Sequence, residues 1–175
     1  PQNNISFRLS QTALSYLANL PERLTKDRWP TIEDLEQQYQ TLEQQPQGGK
    51  LLQSLRMSVD YLNAANALLS QAIEKRSLCP QGLVYKELDY ARQVMTERFT
   101  GKLQPWFAQL DRGARRLFSG YQQLVYQQSP ELQKRIQPFV NWMQALHEQF
   151  QQQNREHVAH WQQLFDDCDR EAIRS

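Results

Sequence analysis

From Lys50 to about Ser77, Leu52, Leu55, Val59, Leu62, Asn66, Leu69 and Ile73 follow one another in alternating steps of three and four residues. That spacing keeps one stripe of a helix facing a neighbouring helix along its length, so the segment is read as a packing seam. Asn66 is the polar member of the row. A polar side chain at a seam position fixes register or partner choice at some cost in stability, and Asn66 is taken as a register residue. A role in lining a ligand pocket would call for a second polar residue on the same stripe, and the row offers none.

The same period recurs elsewhere. A helix is expected from about Ser6 to Asn19, and another begins at Thr31, with Asp34 three residues on, and runs to about Gln45. Leu83 to about Thr100 carries Val84, Leu88, Ala91, Met95 and Phe99, and Leu103 to Gln128 carries Leu103, Phe107, Leu110, Ala114, Leu117, Tyr121 and Leu124. Gly113 and Gly120 border the second stripe and allow a close helix approach. "PQGG", "CPQG" and "TGKLQP" read as breaks. Ser129 is the expected N-cap of a last helix, with Pro130 in the first helical position and an internal Pro138 that predicts a kink. No segment alternates with period two, so no strand is expected.

Helix lengths then pose a question. One helix over residues 130–173 would measure about 66 Å, against about 42 Å for residues 50–77. Either the protein is elongated, with the surplus helix packed on a partner or second copy, or the helix breaks near "QQQNR", where the apolar stripe lapses between Phe150 and His157. The expected architecture is all-α, an elongated antiparallel bundle of five or six helices with a four-helix-bundle-like body. It is a single domain over residues 1–175, with flanking helices in 1–49 and the main bundle in 50–175.

Composition narrows the function classes. The 175 residues include 27 glutamines and six glycines, a bias that favours long helices with uncharged polar faces over a prion-like tract, because apolar residues interrupt the glutamines at helical spacing. With 20 basic and 19 acidic residues, nucleic acid or an anionic membrane is not the expected main partner. No apolar run approaches the roughly 20 residues that span a bilayer, and the N-terminus has no signal-peptide pattern. The chain begins at Pro1 without an initiating methionine, which is read as a processed or excised segment.

Candidate chemistry is sparse. His157 and His160 share a helix face beside Glu156, but a metal site would need Asp167, Cys168 or another helix to supply a third ligand, and no HExxH pattern is present. They are read as two partly exposed histidines flanking a seam, and neither a metal nor a cofactor is expected. No GxSxG, phosphate-cradling GxxxxGK, dinucleotide GxGxxG or CxxC occurs, which argues against catalysis. Cys79 and Cys168 fit no zinc or redox spacing and are left as two thiols or one disulfide.

Residues 86–116 hold seven basic and four acidic side chains. Arg112, Arg115 and Arg116 are expected on the polar face of their helix, with Trp106 and Phe107 as aromatic anchors for a partner. The C-terminal "DDCDREAIRS" puts acids near a helix end, where the macrodipole disfavours them, so either the helix is expected to continue further or the acids to meet a basic partner. Taken together, the residues favour a non-enzymatic protein-interaction or adaptor module that docks a partner protein or self-associates as a homo-oligomer. An extracytoplasmic helical-bundle sensor domain excised from a membrane receptor is the alternative. A nucleic-acid-associated factor using the arginine face is a weaker one, predicting affinity that falls steeply with salt.

Overall fold

Thr31 and Asp34 cap the first well-defined helix reciprocally. The Asp34 N–H donates to Thr31 Oγ1 at 3.0 Å, and the Thr31 N–H donates to Asp34 Oδ2 at 3.4 Å. This computed structural model describes residues 12, 13, 15–17, 19, 20, 26, 29–44, 47–75 and 86–174. Helix α1 is Ile32–Gln44, α2 is Gln47–Glu74, α3 is Lys86–Gln93, a π-helical segment spans Val94–Leu103, α4 is Gln104–Tyr126 and α5 is Pro130–Arg174. The described residues are all-α, without a strand among them. No helix among them is long and apolar enough to cross a membrane. Of the helix expected over Ser6 to Asn19, residues 6–11, 14 and 18 lie outside the described residues. Within it, Thr12, Ala13 and Ser15 to Leu17 are helical, and Asn19 Nδ2 donates to the Ser15 carbonyl at 2.8 Å.

One expected break falls slightly earlier than expected, between Gln44 and Gln47, and another is no break. Helix α2 begins at Gln47, so the paired glycines lie inside its first turn. Gly48 faces Leu117, where a Cβ would stand 3.5 Å from Leu117 Cδ1, an ordinary contact, whereas Gly49 faces nothing within 4 Å. At "TGKLQP" the chain stays helical but widens. The Gln104 N–H donates to the Phe99 carbonyl, five residues back. A proline ring in an α-helix clashes with the carbonyl four residues earlier, and Pro105 follows directly on a stretch where that register has been abandoned for i→i+5 bonding. Gly101 suits this path, because a Cβ there would lie 3.2 Å from the Thr96 carbonyl oxygen.

Helix α5 opens as its sequence predicts. The Leu132 N–H donates to Ser129 Oγ at 3.4 Å and the Gln133 N–H to the Ser129 carbonyl at 2.9 Å. It continues through Pro138 and through "QQQNR", all of whose residues are helical. The break considered at that run does not occur.

Spatial contact groups the chain into two compact units. The first takes Pro1–Ser54 and Leu110–His147, and the second Leu55–Gln109 and Glu148–Ser175. In the first, Leu110, Ala114, Leu117 and Val125 of α4 are buried, as are Val140, Met143 and Leu146 of α5. In the second, Leu55, Val59 and Leu62 of α2 are buried, with Leu88, Phe99, Phe107 and Phe150. Leu103, expected to open the α4 stripe, is 44% exposed, and Phe99 is the residue of the π segment that reaches the core. On an α-helix Phe99 and Phe107 would stand about 80° apart. The wider turns between them turn less per residue and bring both rings to one side, with centroids 6.3 Å apart.

Candidate functional site

The second unit holds a polar cluster inside its apolar core, built on Asn66. Its position in the α2 seam leaves it 5% exposed, so each of its amide groups must find a partner. They all do. Asn66 Nδ2 donates to the Gln153 carbonyl and to Gln153 Oε1, both at 3.0 Å, and Asn66 Oδ1 lies 2.8 Å from His157 Nδ1. An amide oxygen only accepts, so Nδ1 carries the hydrogen. Nε2 is then the acceptor, and it receives the Trp161 indole N–H at 3.0 Å. His157 is therefore the neutral Nδ1–H tautomer, with both ring nitrogens engaged inside the protein.

His157 was expected to be partly exposed, and it is instead buried at 7%. The reason is local: it faces Asn66 on one side, while the Phe99 ring lies 4.6 Å from its centroid. Burial holds its pKa below the usual imidazole value, and the charge of His160 adds to the effect. Glu156 stands at the edge of the cluster, taking hydrogens from Gln152 Nε2 and Gln153 Nε2 at 2.9 Å each. Gln152 and Gln153 of the run are thus tied to the cluster. Phe107 and Phe150 stack edge to face at 5.3 Å beneath it.

Of the two aromatic residues expected as anchors, Phe107 is 6% exposed and belongs to the core, whereas its neighbour Trp106 is 43% exposed. Arg112, Arg115 and Arg116 are exposed, as expected, but lie in the first unit, whereas Trp106 and Phe107 lie in the second. Arg115 pairs with Asp111, one turn earlier, and His147 Nε2 meets the other oxygen of the same carboxylate at 2.7 Å. His147 is itself buried, with the Phe118 ring 5.5 Å away. The acid-rich C-terminal segment does meet a basic residue, since Asp169 pairs with Arg92, whose guanidinium lies 5.7 Å from the centroid of Phe165. Both partners are largely exposed, so the pair adds little stability.

Cys168 is 2% exposed against Leu88 and Phe165, and it is disulfide-bonded. The other cysteine of the chain, Cys79, lies outside the described residues. Among the described residues no group of three or more His, Cys, Asp or Glu side chains is placed to hold a metal ion.

The seam helix also carries a second apolar row that its first one obscured. Met57, Tyr61, Ala64 and Leu68 succeed one another at steps of four, three and four, on the face of α2 opposite Asn66. All four are exposed, with Tyr61 at 70% and Leu68 at 68%.

Fold and site define the class: an all-α protein whose buried polar cluster is closed upon itself and whose seam helix shows apolar rows on opposite faces. The chain belongs to the family described as protein of unknown function, DUF3080, whose profile matches residues 1–172. No curated protein and no solved structure matches it.

Proposed function

We propose that the protein is a non-enzymatic helical interaction module that works by docking a helix on the exposed row of α2. The observation that carries this reading is the heptad-like spacing of Met57, Tyr61, Ala64 and Leu68 in an exposed row with no polar member between its ends. Such spacing suits lengthwise packing at a small crossing angle. The occupant it fits is a second copy of the chain. Antiparallel pairing about an axis between Leu62 and Asn63 sets each Tyr61 on an Ala64 and each Met57 on a Leu68, large against small at the centre. Asp60 then falls beside Ala67, with no like charge opposite. An isologous contact of this kind closes as a dimer.

Light-scattering mass measurement tests it. A dimer is expected for the native chain and a monomer for Tyr61→Glu, with helical content unchanged because Tyr61 is exposed. A monodisperse native monomer at about 100 µM, a concentration at which a micromolar dimer would be filled, overturns the reading.

A specific observation favours an extracytoplasmic setting for such a module, as in a sensor domain of a membrane receptor: the disulfide at Cys168. Disulfides persist in oxidising compartments. If Cys168 were alkylated without a reductant in denatured, acid-quenched protein from its native cells, that setting would be abandoned.

A further inference from the structure

At the junction of α4 and α5, within the first unit, an open groove of about 470 Å³ is lined by Val125, Tyr126 and glutamines, among them Gln122, Gln127, Gln133 and Gln137. No charged side chain lines it. The amides are not equivalent to those of a solvated glutamine face, because two of them have donors tied inward. Gln133 Nε2 donates to the carbonyls of Tyr126 and Gln128, at 3.0 and 2.9 Å, and so commits both its hydrogens. Gln137 Nε2 donates to Asn141 Oδ1 at 2.8 Å. What these two amides have left for the groove is chiefly oxygen, which only accepts. Gln127 Oε1 is buried and without a hydrogen-bond partner among the described residues.

We infer that this groove is a binding site for a neutral oligosaccharide. An uncharged lining of amides that both accept and donate suits a ligand that is neutral and does the same, and sugar hydroxyls do both. Tyr126, 85% exposed at the rim, offers a flat ring on which the C–H face of a pyranose stacks. The site is independent of the exposed row on α2.

Titration calorimetry of the full chain with cellotriose and with chitotriose tests the inference, with a neutral Gly-Ala hexapeptide as the competing class. Binding of at least one trisaccharide is expected, weakened tenfold or more in Tyr126→Ala and in Gln127→Leu, while Tyr61→Glu binds as the native chain does. Circular dichroism of each variant confirms folding. Tyr126 packs too little to endanger it, so at least one variant reads the site. Failure of both sugars to bind, binding of the hexapeptide instead, or sugar binding unmoved in the folded variants would each overturn it.

Discussion

His157 and Asn66 stand 91 residues apart in sequence and 2.8 Å apart in space, and the bond between them fixes the tautomer of the one and the amide orientation of the other. Removing one partner leaves the other's buried groups unsatisfied, which costs more than removing both. Asn66→Leu is expected to destabilise the protein by about 1–3 kcal/mol in urea unfolding. Asn66→Leu combined with His157→Phe should cost less than the sum of the two single changes. Additive costs would show that the two residues are not energetically coupled.

Acid should loosen the same cluster. The folded state holds His157 below its unfolded value of 6.5, so the unfolded chain takes the proton first as pH falls. The stability associated with neutral His157 is thus complete above that value and is lost as pH drops below it. Protonation would also put a hydrogen on Nε2 facing the indole N–H of Trp161, donor against donor. Melting temperature is expected to fall between pH 7.5 and 5, and to fall less in His157→Gln, whose amide can still donate and accept. Equal slopes in the two proteins would remove His157 as the cause.

Adjacent aromatic residues should behave differently. Phe107→Ala opens a cavity against Phe99 and Phe150 and should cost about 3–5 kcal/mol. Trp106→Ala removes a half-exposed side chain and should cost under about 1 kcal/mol. Thermal or urea unfolding distinguishes them, and similar losses would contradict the burial of Phe107.

Two glycines make a matched pair for the π segment. Gly49→Ala meets open space inside a helix and should stabilise by about 0.5–1 kcal/mol through helix propensity alone. Gly101→Ala meets the Thr96 carbonyl at 3.2 Å and should forfeit that gain or reverse it. An equal gain at both positions would mean that the wide turns yield easily.

What the sequence disclosed and what it hid follow from range. Thr31 with Asp34, and Ser129 with Pro130, are local signals and the caps form where they fall. The α2 row is periodic within a single helix, so Leu55, Val59, Leu62 and Asn66 are buried as their spacing predicts. The partner of Asn66 was out of reach, because no local period links α2 to a residue of α5. Gly101 and Pro105 read as a stop, since either one disfavours an α-helix, and a widened helix leaves no separate mark in the residue pattern. Trp106 and Phe107 are neighbours about 100° apart, and the phase that buries one and not the other depends on the π turns before them. The exposed row of α2 is legible in the same periodicity as its buried face, since both follow from one helical repeat.

The continuity of α5 through its glutamines fixes a number. Phe150 meets Phe107 and His157 meets Asn66, seven residues on, so the stretch from Gln151 to Glu156 acts as a spacer of set length. One glutamine gained or lost there would swing His157 about 100° away from Asn66 relative to Phe150. Homopolymeric runs ordinarily tolerate drift in copy number, but this one is held to its count from within the fold.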